Sequence, residues 1–162
     1  MKPVTAHIAL GANLGDRVAN LREAVLRINH LPGTRVIARS SIYETPPWGK
    51  TDQPQFLNAV ITVETEREPE ALLNDCLAIE QEMGRIRRER WGPRAIDIDL
   101  LTHGNTRMRS ARLTLPHPAL AERAFVLVPL LEIAPAFSLD GESGRDLLAR
   151  LDQTGIIPVA TL

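Results

Sequence analysis

Two stretches of helical period set among four strand-like runs, in the order β-α-β-β-α-β over the first hundred residues, predict an α+β fold on a mainly antiparallel sheet. Three observations carry that reading. Phe56 to Thr65 alternates, with Leu57, Ala59, Ile61 and Val63 on one side and Phe56, Asn58, Val60 and Thr62 on the other, the two-residue period of a strand. Val18, Leu21, Val25 and Ile28 recur at helical spacing, and so do Leu72, Cys76, Ile79 and Met83. Turn residues separate the segments, at Pro32-Gly33, at Thr45-Pro46-Pro47 and at Gly84. The order is that of a ferredoxin-like split unit with helices packed on one face of the sheet, followed by a C-terminal extension.

Taken in order, Thr5 to Leu10 reads as a buried strand, and Gly11 to Asp16 as a turn feeding the first helix. Arg35 to Tyr43 reads as the second strand, ended by consecutive prolines that cannot donate to a ladder, with a loop running on through Pro54. Glu68 to Met83 is the second helix, opened by Pro69 in its first turn and closed by Gly84. Ile96 to Leu101 is the fourth strand. Arg107 to Leu115 suggests a short hairpin. Ala119 to Glu122, Pro129 to Ala134 and Ser143 to Leu151 suggest short helices interrupted by Pro129 and Pro135.

The bulk numbers bound the function. A chain of 162 residues without a Gly/Ser-rich or Pro-rich linker is read as a single domain, 1–162. A net charge of −1 gives no global pull toward nucleic acid or anionic membrane. The lone cysteine, Cys76, excludes an internal disulfide and a multi-cysteine metal site, and its helical spacing marks it as a core thiol. The apolar run Ala6 to Leu10 is too short for a signal core or a membrane span, so a cytoplasmic, monomeric protein is expected.

The segment Arg90-Trp91-Gly92-Pro93-Arg94-Ala95-Ile96-Asp97-Ile98-Asp99 carries the chemistry. On an extended backbone Asp97 and Asp99 share one face while Ile96, Ile98 and Leu100 share the other. At ~3.3 Å of rise per residue the carboxylates lie roughly 7 Å apart, close enough to hold one or two hard cations, and an oxygen-only pair favours Mg²⁺ over zinc. Arg85, Arg87, Arg88, Arg90 and Arg94 precede or flank them with Glu89 as the single acid among them. Such a run by itself is often a solvated loop. Beside two carboxylates, and in a chain with neither a G-x-x-x-x-G-K-[ST] nor a G-x-G-x-x-G motif, guanidinium forks are the groups left to hold a polyphosphate. A further polar group gathers around Leu115-Pro116-His117-Pro118, with Arg112, Thr114 and Arg123.

A second surface combines Thr45-Pro46-Pro47-Trp48 with Phe56 and Asn58, whose i, i+2 spacing sets an aromatic plate beside an amide able to donate and accept. That suits a flat heterocycle. Its bland alternative is an aromatic ring packed under a proline loop.

These residues form a pattern: Asn13-Leu14-Gly15, Tyr43-x-Thr45-Pro46-Pro47, Phe56-Leu57-Asn58-Ala59, Glu80-x-x-x-Gly84-Arg85, Arg90-Trp91-Gly92-Pro93-Arg94-x-x-Asp97-x-Asp99, and Pro116-His117 followed by Arg123-x-Phe125. The chain resembles the 6-hydroxymethyl-7,8-dihydropterin pyrophosphokinase family of folate biosynthesis, from about Ile8 to Pro135. The resemblance implies transfer of the β,γ-diphosphate of ATP to the pterin hydroxymethyl oxygen, with release of AMP. It implies two Mg²⁺ ions on Asp97 and Asp99, with Arg85 and Arg94 as phosphate clamps. Glu80, Arg87, Trp91, Leu100, Arg112, Thr114, His117 and Arg123 would complete the ATP site. The pterin would stack between Phe56 and Phe125, bonded at its edge by Asn58 and by groups from Thr45, Pro46, Pro47 and Trp48, next to Trp91 and Asp97.

Three departures from the family pattern stand out: Phe56 where Tyr is usual, Pro118 after the histidine where Tyr is frequent, and a segment between Arg85 and Trp91 one residue short. Two rival readings use the same residues. A Mg²⁺-dependent phosphohydrolase could use the same aspartates and arginines. An RNA-binding module shares the element order, but the chain has few aromatics for stacking, and Asp97 and Asp99 would repel the phosphate backbone.

Overall fold

The computed structural model describes residues 2–46, 55–84 and 95–162. The chain opens with strand β1 (Val4–Ala12) and helix α1 (Arg17–Asn29), whose N-terminus is capped by Asp16 accepting from the Ala19 amide at 3.1 Å. Gly11 and Ala12, read from sequence as the start of a turn, are still in β1, Gly11 paired with both Asn58 and Asp97 and Ala12 with Leu57. The turn itself begins two residues later, where Gly15 takes a φ of +71° that a side chain would resist.

The expected second strand is present as two segments, β2 (Thr34–Arg39) and β3 (Ser41–Thr45), laid end to end along one partner, β4 (Phe56–Thr65). Ser40 makes the joint. Its amide donates to the Val60 carbonyl and its hydroxyl accepts from the Val60 amide, so the ladder is interrupted without leaving Val60 unsatisfied. Helix α2 (Pro69–Glu82) follows with Pro69 in its first turn, and Gly84 stands just beyond its end at a φ of +81°, as the sequence required. Strand β5 (Asp97–His103) then returns beside β1.

All pairings in the main sheet are antiparallel, and the order is β10 (Ile157–Thr161), β3, β4, β1, β5 with β2 also on β4. The outermost strand, β10, was not foreseen. Its exposed Ile157 and Val159 carry too little apolar pattern to announce a strand, and only pairing with β3 makes it one. The foreseen hairpin is β6 (Met108–Arg109) with β7 (Thr114–Leu115).

Pleating divides the sheet between two cores. Ala6, Ile8, Leu10 and Ala12 of β1, Ile61 and Val63 of β4, and Ile98 and Leu100 of β5 face α1 and α2. The opposite face was expected to lack helices, and the C-terminal extension covers part of it. A 3-10 turn (Leu120–Glu122), helix α3 (Ala124–Ile133) and helix α4 (Gly144–Ala149) pack Leu120, Val126, Leu127, Leu130 and Leu147 against Ala9, Val60 and Leu101. Helix α3 starts earlier than expected and runs through Pro129, whose missing N–H removes one intrahelical bond. Burial of the side chains around it outweighs that loss. Between α3 and α4 a small hairpin, β8 (Ser138–Leu139) with β9 (Glu142–Ser143), also escaped the sequence pattern.

Cys76 lies in the first core, 1% exposed, as its spacing indicated. Burial pushes its thiol up to about 12, and the nearby Glu80, Asp75 and Asp99 charges push the same way. Because the thiolate is the reactive form, a water-soluble thiol reagent should leave the native protein unmodified at mildly alkaline pH and should label it only as denaturant unfolds it. Full labelling of the native protein would show that this part of the core opens.

Candidate active site

The second face of the sheet, which α3 and α4 cover in part, is built in rows. Antiparallel partners share a face, so the registers set Tyr43, Asn58, Gly11 and Asp97 side by side across four strands. The next row along β1 holds Val60, Ala9 and Asp99. Adjacent strands are about 4.8 Å apart, so Gly11 separates the Asn58 amide from the Asp97 carboxylate by roughly two strand spacings. The structure thus brings together the amide surface and the carboxylate pair that sequence could place only on separate segments.

Gly11 was not singled out as a site residue from sequence. A Cβ there would stand 3.0 Å from Asn58 Nδ2 and 3.8 Å from the Phe56 ring. Its lack of a side chain keeps the floor between Asn58 and Asp97 low. No local signal marks this, since the need arises only once β1 lies between β4 and β5.

Thr45 and Phe56 pair directly, and the buried Thr45 hydroxyl donates to Asn58 Oδ1 at 2.6 Å. This bond fixes the amide with its NH₂ group over Gly11. Pro46, at the end of β3, is exposed. Ile96, Ile98 and Leu100 are 0%, 3% and 3% exposed and point into the core under α1 and α2, while Asp97 and Asp99 stay partly accessible on the other face, the division read from sequence. Leu100, assigned to the nucleotide, therefore has only its backbone to offer. Glu80 is 4% exposed, and its Oε2 accepts from the Ile98 amide at 2.6 Å. That bond ties α2 to the outer edge of β5 at the residue between the two aspartates.

His117 joins the carboxylate end. Its amide donates to the Leu101 carbonyl at 2.8 Å, and its Nδ1 accepts from the Ala119 amide at 3.1 Å, which leaves Nε2 to carry the proton of the neutral ring. Burial and then the Arg123 charge lower its pKa, while Asp97 pulls it up, so the ring lies under the influence of both. The Arg123 guanidinium carbon is 5.7 Å from the centroid of the Phe125 ring, at the start of α3. Thr114 is half-buried in β7, and Arg112 reaches the Asn74 side chain on α2. Pro47, Trp48, Arg85, Arg87, Trp91 and Arg94, with Arg88 and Arg90, lie outside the described residues. Among the described residues no cluster of three or more His, Cys, Asp or Glu side chains could enclose a metal, so any ion on the aspartates must draw most of its oxygens from elsewhere.

Carboxylates, an imidazole, an arginine and an oriented amide converging on one face of an antiparallel α+β sheet define an enzyme that works on charged small molecules. Comparison with known proteins makes this specific. The chain belongs to the 7,8-dihydro-6-hydroxymethylpterin-pyrophosphokinase (HPPK) family, whose model matches residues 7–135. It is 52% identical over 151 residues to the 2-amino-4-hydroxy-6-hydroxymethyldihydropteridine pyrophosphokinase of Methylorubrum extorquens, covering 93% of this chain and 96% of that one. It is 46% identical over 131 residues to the Haemophilus influenzae protein of the same name, covering 81% and 82%. In fold it is similar to the crystal structure of wild-type Plasmodium falciparum HPPK-DHPS with pteroate, with a TM-score of 0.72 at 17% identity. That alignment covers 92% of this chain and 42% of the solved chain, so this protein spans about two fifths of its length.

The geometry at Gly11 yields a direct test. Gly11→Ala should cost several-fold in turnover, because the Asn58 amide must give way by a few tenths of an ångström. Gly11→Val, which puts two more carbons over the floor, should abolish turnover while circular dichroism stays native, a β-branched residue being well suited to a strand. Normal turnover in the valine variant would rule out a ligand lying over Gly11.

Proposed function

We propose that the part of the second sheet face beyond α3 and α4 is divided between the two substrates of a diphosphoryl transfer, with the pterin over Gly11 and Asn58 and the ATP phosphates over Asp97 and Asp99. As an HPPK, the chain is a pyrophosphokinase of folate biosynthesis. The single observation that carries the division is the row Asn58, Gly11, Asp97, which sets a heterocycle-binding amide two strand spacings from a carboxylate suited to magnesium.

The pterin hydroxymethyl oxygen attacks the β-phosphorus of ATP, the bond from that phosphorus to the α-phosphate bridging oxygen breaks, AMP leaves and the hydroxyl proton is lost. The chain supplies position and charge for this step. Phe56 and Phe125 would offer stacking faces. Asn58, held by the Thr45 hydroxyl, would present its NH₂ to the heterocycle edge. The donor set fits magnesium, a hard cation that commonly takes one or two carboxylates and fills its shell with phosphate oxygens and water. Two Mg²⁺ ions on Asp97 and Asp99 would neutralise the triphosphate and polarise the phosphorus under attack. Neutral His117 with Nε2–H outward, and Arg123, would donate to phosphate oxygens. Thr114, Arg112 and the backbone of Leu100 lie along the same end of β5, and Glu80 serves by fixing that strand. We assign the phosphate clamps to Arg85, Arg87 and Arg94, and an aromatic cover to Trp91, on the sequence pattern alone.

We further propose that residues 1–162 work as one monomeric catalytic unit in the cytoplasm, on small molecules and without nucleic acid or membrane. Support comes from the shared sheet that binds N- and C-terminal elements and from a net charge of −1. Among the described residues, no helix is long and apolar enough to cross a membrane. The covering of the second sheet face by α3 and α4 disfavours the RNA-binding reading, since such modules stack bases on an open sheet.

Asp97→Ala and Asp99→Ala should each lower Mg²⁺-dependent turnover by about a hundredfold or more, judging from the several kcal/mol such ions supply, with the fold intact. Equimolar AMP and pterin diphosphate should form. Release of inorganic phosphate without pterin diphosphate would establish the phosphohydrolase instead.

Phe56→Ala should weaken pterin binding about tenfold, in keeping with roughly 1–3 kcal/mol for a lost stacking face, and leave the affinity for a Mg²⁺-ATP analogue nearly unchanged. Equal loss for both ligands would make Phe56 a packing residue.

A further inference from the structure

Tyr43, the only tyrosine of the chain, stands in the same row as Asn58 and Gly11, yet its hydroxyl is committed to α3, where it donates to Glu132 Oε1. The same carboxylate accepts from the Ser41 amide at 3.0 Å to each oxygen and from the Ser41 hydroxyl at 2.9 Å. One side chain of α3 thus gathers the backbone and two side chains of β3. Such charge-assisted bonds are stronger than neutral ones and fix direction as well as distance.

What this joint holds in place is the other end of the helix. Glu132 is the last residue but one of α3 and Phe125 is its second, about 10 Å away along the axis at 1.5 Å per residue. The start of α3 has no side-chain cap, since Arg123 at that position carries only donors, and its guanidinium lies over the Phe125 ring. Val126, Leu127 and Leu130 seat the helix on Val60 and Leu101, but apolar contact alone resists sliding and rotation poorly. Strand β3 carries Ser41 and Tyr43 at the joint and Thr45 at its far end, where Thr45 orients Asn58. The joint therefore ties the element bearing Phe125 to the element that sets the Asn58 amide.

We propose that Glu132 is a positioning residue for the pterin: by bonding Ser41 and Tyr43 it locks α3 against β3 and sets where Phe125 stands relative to Phe56 and Asn58. This rests on the pterin reading above. Glu132 itself touches neither substrate and acts through the helix.

The lone tyrosine makes the joint measurable apart from catalysis. Burial, then the Glu132 hydrogen bond and charge, push the Tyr43 phenol up to about 12. In the wild-type protein no phenolate absorbance should develop until alkali unfolds the chain. Glu132→Ala should let Tyr43 ionise nearer the ordinary phenol value of about 10 while the protein is still folded. The same variant should raise both the Kd and the KM for the pterin by up to about tenfold, the scale of a lost hydrogen bond to a charged group. The Kd for a Mg²⁺-ATP analogue should change by much less, because Asp97, Asp99 and His117 are held on or by β5 and only Arg123 among the groups assigned to the phosphates sits on α3. Glu132→Gln, which keeps one accepting oxygen, should restore most of the pterin affinity, and Tyr43→Phe should lose part of it.

Pterin affinity unchanged in Glu132→Ala, with the phenol titration shifted, would overturn the proposal, since the joint would be broken without consequence. An unshifted titration would also overturn it, since no joint would exist. If Glu132→Ala fails to fold, Glu132→Gln supplies the phenol titration and Tyr43→Phe, which removes the only phenol, supplies the pterin affinity. Wild-type protein that binds no pterin would instead remove the pterin reading, and the tyrosine titration, which needs no ligand, tells the two failures apart.

Discussion

Strand β1 lies between β4 and β5 in a fixed antiparallel register, and nearly every feature of the site depends on that placement. Its alternate residues Ala6, Ile8, Leu10 and Ala12 are fully buried against α1 and α2. Its other face offers Gly11 between Asn58 and Asp97, and Ala9 between Val60 and Asp99. A slip of one residue in β5 would carry Asp97 and Asp99 into the apolar core, where an ionised carboxylate without partners costs several kcal/mol. The core thus selects the register, and the register in turn assembles the site.

The second face of the same sheet is shared between packing and chemistry. Leu120, Val126, Leu127, Leu130 and Leu147 cover Ala9, Val60 and Leu101, and the cover stops short of the row containing Asn58, Gly11 and Asp97. Both boundaries of the open region are braced by buried or bonded carboxylates. Glu80 holds the edge of β5 through the Ile98 amide, and Glu132 holds α3 on β3. Neither carboxylate needs to meet a ligand to matter, because a site of this kind works by holding groups in place and each misplaced group weakens it.

The family match ends at residue 135, yet the elements beyond it join the main framework. Leu147 of α4 enters the second core, and β10 supplies the outer partner of β3, the strand that carries Ser41, Tyr43 and Thr45. This C-terminal part shields an edge that would otherwise present unpaired backbone groups. It also stiffens the strand from which Asn58 is oriented.

Local pattern was enough for the elements with strong periodicity. The alternation of Phe56 to Thr65, the helical spacing through Cys76 and the glycine after α2 reappear almost residue for residue, because side-chain direction along a strand or helix is set by backbone geometry alone. The same rule separated Asp97 and Asp99 from Ile98, and the motif residues identified the family. Elements whose only reason is a partner were illegible: β10, the hairpin of β8 and β9, and the passage of α3 through Pro129. So were Gly11 as the floor, Glu80 as a brace and the bond from Tyr43 to Glu132, which joins residues 89 apart in sequence. Sequence determines which way each side chain points from its own element. Which residues then face one another is decided by strand register and helix packing, since these depend on the free energy of the whole core rather than on any local run.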